Sequence, residues 1–176
     1  MTQLVAISGS LRTRSSTTAI LRTASTVAPP EVAFEVYEGL GGLPHFNPDF
    51  DTEESIPPPT VAELRARLSR ADGLLICTPE YAHGMPGSLK NGLDWLVSTV
   101  ALVDKPVVAI AASPSGGAHA YAQLIETLTV MSWRVLIAGS MHLQFSHGLL
   151  DPHGEISDPT LVERLRHSVE VLAAAR

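Results

Sequence analysis

Three short, unbroken apolar runs constrain the fold of this chain more than any other feature: Leu4-Val5-Ala6-Ile7, Gly73-Leu74-Leu75-Ile76-Cys77-Thr78 and Val107-Val108-Ala109-Ile110-Ala111-Ala112. Each has the length of a strand, and none alternates with polar residues. A strand that is apolar on both sides of its pleat must be covered on both faces, which is the mark of a parallel sheet sandwiched between helices. Val32–Tyr37 does alternate (Val32, Phe34, Val36), so it reads as a half-covered strand.

Between the runs lie segments of helical period. The pattern predicts strands at Leu4–Ser8, Val32–Tyr37, Gly73–Thr78, Val107–Ala112 and Arg134–Ser140. It predicts helices at Thr17–Val27, Val61–Ala71, Gly87–Thr99, Ala120–Met131 and Pro159–Ala175. On helix three, Leu89, Leu93, Leu96 and Val97 form the expected inward face, while Lys90, Asp94 and Trp95 point elsewhere. A Trp beside charges suggests a partner surface, against the plainer alternative of a ring folded back on its own helix. Five strands alternating with five helices imply a doubly wound α/β sandwich, since strand–crossover–strand units are right-handed and cover both faces. At 176 residues the chain reads as one flavodoxin-like domain spanning 1–176, its five-stranded parallel sheet ordered 2-1-3-4-5. In that order the crevice lies at the carboxyl ends of the central strands.

The turn after the first strand reads Gly9-Ser10-Leu11-Arg12-Thr13-Arg14-Ser15-Ser16-Thr17-Thr18. Strand, loop and helix start together make an anion site, because the first N–H groups of a helix lack partners and its dipole favours negative charge. Hydroxyls of Ser10, Ser15, Ser16, Thr17 and Thr18 and the fork of Arg12 suit a phosphate. The bland alternative is an N-cap in which Ser and Thr serve only the helix. Neither G-x-x-x-x-G-K-[ST] nor G-x-G-x-x-G is present, so a single terminal phosphate fits better than a nucleoside triphosphate or a dinucleotide laid along the turn.

The other two loops at the same end are also unusual. Thr78-Pro79-Glu80-Tyr81-Ala82-His83-Gly84-Met85-Pro86-Gly87 carries prolines and glycines that fix the backbone for close approach to a flat ligand. Tyr81 can pack on a ring, Glu80 can meet polar edges, and His83 is either a ligand contact or a solvated loop histidine. In Ser113-Pro114-Ser115-Gly116-Gly117, the N–H groups of the two glycines can reach a ring that gains negative charge. The long Gly39–Pro59 loop, with Phe46 and Phe50, is of a length more often functional than idle.

Together these stretches resemble the NADPH-dependent FMN reductase family, a flavodoxin-like family that includes azo-dye, quinone and chromate reductases. The resemblance runs from Leu4 to about Met141. It rests on Gly9-Ser10-Leu11-Arg12 with Ser15, on Pro79-Glu80-Tyr81, and on Pro86-Gly87 followed by Leu89-Lys90-Asn91 and Asp94-Trp95. Leu43-Pro44, Phe46-Asn47 and the Ser113–Gly117 loop add to it. It implies that Ser10, Arg12 and Ser15–Thr18 hold the FMN phosphate, that Pro79, Glu80 and Tyr81 line the ribityl chain and isoalloxazine, and that Ser113, Gly116 and Gly117, with Ser115, edge the pyrimidine. It also implies hydride transfer from NADPH or NADH to the flavin N5 and on to a quinone, azo compound, metal ion or free flavin. A homodimer or homotetramer through the Lys90–Trp95 helix is implied as well. Two departures stand out: Thr17 and Ala82 occupy positions where the family often has Asn. The alternative reading is a flavin-binding electron carrier without its own NAD(P)H reaction.

Composition excludes other classes. A net charge of −6 with scattered Arg leaves no basic stripe for nucleic acid. No apolar run reaches membrane-spanning length, and the N-terminus is read as a core strand rather than a signal peptide. The single Cys77 forms no intramolecular disulfide, agrees with a cytoplasmic location, and reads as a buried hydrophobe. The histidines lack metal-ligand spacing, with His142, His147 and His153 spread over a loop, and G-x-S-x-G is absent, so neither a metal site nor a hydrolase is expected.

Overall fold

The computed structural model describes residues 1–151 and 153–175. The elements run β1 (Thr2–Ser8), α1 (Ser16–Thr26), β2 (Val32–Tyr37), α2 (Pro59–Arg70), β3 (Gly73–Thr78), α3 (Gly87–Asp94), β4 (Pro106–Ser113), α4 (Ala118–Val130), β5 (Arg134–Val135), β6 (Met141–Gln144) and α5 (Pro159–Ala174). The sheet is parallel with order 2-1-3-4-5, the flavodoxin-like arrangement expected from the pattern. Leu4, Ala6, Leu75, Cys77, Val108 and Ile110 point to one face, where α1 and α5 pack through Ile20, Leu21, Leu165 and Val169. Val5, Ile7, Leu74, Ile76, Val107 and Ala109 point to the other, covered by α2, α3 and α4. The unbroken apolar runs are therefore strands buried on both faces. Cys77 is fully buried, and burial pushes its thiol far above the ordinary range, so it is inert.

The fifth strand differs from the expected Arg134–Ser140. Its position in the sheet is filled by two short segments, β5 and β6, both parallel to β4. From Val107–Val135 to Ile110–Met141 the outer chain takes six residues where β4 takes three, and the excess forms a 3-10 turn at Ile137–Gly139. The ladder N–H of Ala109 left over by the interruption donates to Ser140 Oγ at 3.0 Å, while Ser140 Oγ donates to Leu136 O at 2.8 Å. A side chain replaces the missing backbone partner, so the break leaves no orphan donor.

Helix three also ends early, at Asp94 rather than Thr99. Leu96 N and Val97 N bond back to Leu93 and Asp94 in tight turns. The following Val97, Thr99 and Val100 are poor helix formers. Val97, expected inward, is 64% exposed. Trp95, expected on a partner surface, is fully buried. Its Nε1 donates to Pro44 O at 2.8 Å and Phe46 meets its ring edge-on at 5.1 Å between centroids. Asn91 closes the same contact, accepting from Phe46 N and donating to Pro44 O at 2.9 Å. Arg65 binds the Trp95 carbonyl and pairs with Asp51 at 2.7 Å. The long Gly39–Pro59 loop is thus strapped onto α2 and α3. Lys90 and Asp94 pair with each other at 2.6 Å on the helix surface. Truncating the buried ring leaves a large cavity under the strap, so Trp95→Ala is expected to lower stability by about 3 to 5 kcal/mol, read from urea unfolding.

Candidate functional site

The carboxyl ends of β1 and β3 approach so closely that Gly9 is required between them. A Cβ there would lie 2.9 Å from Thr78 Oγ1 and 3.3 Å from Thr78 Cα, and Gly9 N donates to Cys77 O at 2.8 Å. Just beyond this contact opens a cavity of about 340 Å³. Ser10, Arg12, Ser15 and Ser16 from the first loop line it, together with Pro79, Glu80 and Tyr81 from the second and Ser113 from the third. Arg14, Ala112, Pro114, Phe145 and Ser146 complete the lining and were not singled out by sequence. Phe145 and Ser146 sit at the end of β6, with Phe145 N donating to Ser113 O. Their place at the crevice follows only once the fifth strand is extended to Gln144. Arg14 was visible as the second basic residue of the turn.

The hydroxyls of the first loop divide into two sets. Ser15 is the N-cap of α1, its Oγ accepting from Thr18 N at 3.1 Å. Thr17 is fully buried, its Oγ1 within 2.9 Å of both Ser8 Oγ and Ser15 Oγ, and Thr18 Oγ1 lies 2.8 Å from Ser15 Oγ. Ser10 Oγ accepts from Arg12 N at 3.3 Å. These four shape the turn. The N–H and hydroxyl of Ser16 and the Arg12 and Arg14 guanidiniums line the cavity and have no partner among the described residues. They are what the turn presents to an anion.

In the second loop, Tyr81 and Gly84 pair as a two-residue hairpin through reciprocal N–H···O bonds of 2.9 and 3.0 Å. Both central residues have positive φ, Ala82 at 49° and His83 at 60°. This is the left-handed geometry in which Asn-Gly is the usual pair, so the site stores strain where its Ala departs from the family habit. His83 does not line the cavity. It stacks on His119 of α4, with ring centroids 4.2 Å apart. Gln123 of α4 holds the loop from behind, Oε1 accepting from Met85 N at 2.7 Å.

Glu80 ties the second loop to the third. Its Oε2 accepts from Ala120 N at 2.9 Å and its Oε1 from Ser115 Oγ at 3.1 Å, so the carboxylate caps the N-terminus of α4. These bonds, led by the one from Ala120, hold its carboxyl below the ordinary glutamate range. Ser115 thus braces Glu80 instead of facing the cavity, and its Oγ also meets Ser113 Oγ at 2.9 Å. Of the two glycine N–H groups expected to face a ring, that of Gly116 bonds Ser113 O at 3.0 Å, and only that of Gly117 is without a partner among the described residues. Gly117, at φ 71°, has no room for a Cβ, which would sit 3.2 Å from the Ala111 backbone. The Gly116 carbonyl faces His142 Nδ1 at 3.1 Å. Among the described residues no cluster of His, Cys, Asp and Glu is placed to hold a metal ion; the His147 side chain lies outside them.

Comparison with known proteins fixes the class. The family model described as NADPH-dependent FMN reductase matches residues 2–148. The chain belongs to this family. It is 31% identical over 168 residues to a quinone reductase of Escherichia coli, covering 93% of this chain and 89% of that protein. It is 30% identical over 174 residues to an NAD(P)H-dependent FMN reductase of Pseudomonas aeruginosa, covering 97% and 92%. Among solved structures it superposes on a flavoenzyme NAD(P)H:(acceptor) oxidoreductase from Paracoccus denitrificans with TM-score 0.85 and 25% identity, covering 98% of this chain and 96% of that one. Membership makes the chain an NAD(P)H-dependent oxidoreductase that uses FMN, not an electron carrier alone.

Two outcomes follow from the loop geometry. Ala82→Asn relieves the positive φ and is expected to raise stability by up to about 1 kcal/mol in urea unfolding. Glu80→Ala removes the cap and is expected to cost about 1 kcal/mol at neutral pH. Because the Glu80 carboxyl is depressed in the folded state, its contribution is full above the ordinary glutamate range and lost as pH falls through its lowered value. The gap between wild type and variant should therefore close in acid, checked by unfolding at stepped pH.

Proposed function

We propose that the 340 Å³ cavity holds FMN with its phosphate at the start of α1 and its ring between Tyr81 and the Ser113–Gly117 loop, and that the reduced enzyme passes electrons to quinones. The observation that carries this is the pairing, in one cavity, of anion donors without partners and a flat slot at the other end. The Ser16 N–H and hydroxyl, with Arg12 and Arg14, suit a phosphate dianion. Pro79, Tyr81 and Pro114 suit a planar ring. The residues fit the group.

FMN, when bound, supplies the chemistry of accepting a hydride from NAD(P)H and handing the electron pair on. The chain supplies position. The β1 turn fixes the phosphate end, and the Tyr81 hairpin, braced by Gln123 and Glu80, fixes one wall of the ring slot. Of the third loop, Ser113 and Pro114 line the slot, whereas Gly116 and Gly117 stand behind them outside its lining. Glu80 is held ionised by its donors, so it does not store a proton for the reaction at neutral pH. Tyr81 is 49% exposed, which leaves its side of the slot open to an entering ring.

The quinone assignment is supported by the quinone reductase relatives and by a 2-hydroxy-1,4-benzoquinone reductase of Burkholderia, 37% identical over 93 residues. Azo compounds, oxidised metal ions and free flavin are further acceptors to compare. Use of NAD(P)H and a lone buried Cys77 favour a cytoplasmic enzyme. Exposed Val97, Val100 and Val103 beside α3 favour a homodimer there. The test is FMN titration by visible absorbance, followed by turnover with NADPH and NADH against quinones, azo dyes, ferric or chromate ions and FMN. A chain that refuses FMN overturns the reading. Ser16→Ala removes one hydroxyl donor to the phosphate and is expected to raise the FMN dissociation constant about tenfold, measured by flavin fluorescence.

A further inference from the structure

The hairpin that carries Tyr81 holds two left-handed residues in succession, Ala82 at φ 49° and His83 at φ 60°, and neither is glycine. A side chain in this region costs free energy, and such a conformation persists only where its surroundings over-determine it. The surroundings here are α4 and the turn before it. On the entry side of the hairpin, Glu80 reaches Ala120 N and Ser115 Oγ. At the tip the His83 ring stacks on His119, but both residues are exposed. On the exit side, Gln123 Oε1 accepts from Met85 N at 2.7 Å. Met85 is buried, so losing that acceptor leaves its N–H without a partner. The same oxygen lies 2.9 Å from where a Cβ of Gly84 would stand, so the side chain rests directly on the hairpin backbone. Gly84 in turn exchanges both its backbone hydrogen bonds with Tyr81. A continuous path of hydrogen bonds and chain thus runs from α4 through Gln123, Met85 and Gly84 to Tyr81.

We propose that Gln123 is a positioning residue for the acceptor reaction, holding the strained hairpin closed so that Tyr81 stands as a wall of the ring slot. The inference rests on the reading of that slot as the flavin and quinone site. Gln123 is exposed on α4 and does not line the cavity, so its effect on a bound ring passes through the hairpin. What its side chain supplies is an acceptor oxygen, since its amide nitrogen has no partner among the described residues.

Gln123→Leu removes that oxygen, and Gln123→Glu keeps one at the same reach. Amide hydrogen exchange is read first, on the full chain without flavin. In Gln123→Leu the N–H groups of Tyr81 and Gly84 are expected to exchange about fivefold faster, while those of Leu124 and Leu128 in the α4 core keep wild-type rates. On the FMN-loaded enzyme, KM for a benzoquinone is expected to rise about fivefold with kcat changed by less than about twofold. Gln123→Glu is expected to restore both quantities. Ala82→Asn suits the left-handed region, and in its background the effect of Gln123→Leu on the two amides is expected to shrink to about twofold, because less strain remains to be held. Equal acceleration throughout α4 marks a general loss of stability and overturns the proposal. So do hairpin amides that keep wild-type rates, a Gln123→Glu protein that behaves as Gln123→Leu does, an effect undiminished by Ala82→Asn, or a KM that stays fixed while the amides respond. A wild type that refuses FMN while its hairpin amides respond as expected overturns the reading of the cavity instead and leaves the tie standing.

Discussion

Covering β1, β3 and β4 on both faces is the constraint from which the rest of this molecule follows. An unpaired polar group is costly in a strand sealed between two layers of helix, so the side chains of Leu4–Ile7, Leu74–Cys77 and Val107–Ala112 are apolar. Polar chemistry is left to the loops. Because the strands are parallel, the loops that leave their carboxyl ends emerge on one edge of the sheet, and order 2-1-3-4-5 puts those of β1, β3 and β4 side by side. The side chains then finish what the topology begins. Thr78 presses on Gly9, Glu80 reaches from the second loop to cap α4, and Phe145 continues the pairing of β6 with Ser113. The crevice is rigid because each wall is bonded to the next.

That logic also explains which parts of the fold can be read from sequence. Local period is enough for the buried strands and for most helix cores, since burial dictates residue type at every position. It fails where a distant group decides the outcome. Nothing near Arg134–Ser140 announces that the strand will break, because the break is tolerated only by Ser140 catching the N–H of Ala109 across the sheet. Trp95 misleads for a similar reason. Beside Lys90 and Asp94 it looks like a surface residue, yet Pro44, some fifty positions away in sequence, supplies both its hydrogen bond and, through Phe46, its ring contact. The motif Leu43-Pro44 with Phe46-Asn47 and the motif Asn91 with Asp94-Trp95 are two halves of one joint.

The site shows the same division on a smaller scale. In sequence, Ser10, Ser15, Ser16, Thr17 and Thr18 are equivalent hydroxyl donors. Folding separates them, since a helix start needs a cap and a tight turn needs internal bonds before either can present anything to a ligand. Ser15, Thr17 and Thr18 are consumed by those needs, which leaves Ser16 and backbone N–H groups facing outward. The bland N-cap reading therefore holds for Ser15, and the phosphate reading rests on Ser16 and the two arginines. Glu80 follows the same rule. Its type and position announce a polar contact, but whether it meets ligand or helix depends on α4, whose first turn arrives from forty residues further along.

Charge distribution sets a further condition on how such a site works. With a net charge of −6, the protein as a whole repels anionic nucleotides, and both FMN and NAD(P)H are anions. Counter-attraction must therefore be local. Backbone N–H groups and a helix dipole act within the first turn only. Guanidiniums in an open cleft act over roughly a Debye length, about 8 to 10 Å at physiological salt. The neutral donors of Ser16 can fix where a phosphate rests, whereas Arg12 and Arg14, without a carboxylate partner among the described residues, can draw it in against the background field. Asp151, a carboxylate lining the same cleft, accepts from N–H groups of its own turn and makes no ion pair with those arginines. Positive charge without partners thus marks the approach of anionic ligands, and neutral donors mark where they come to rest.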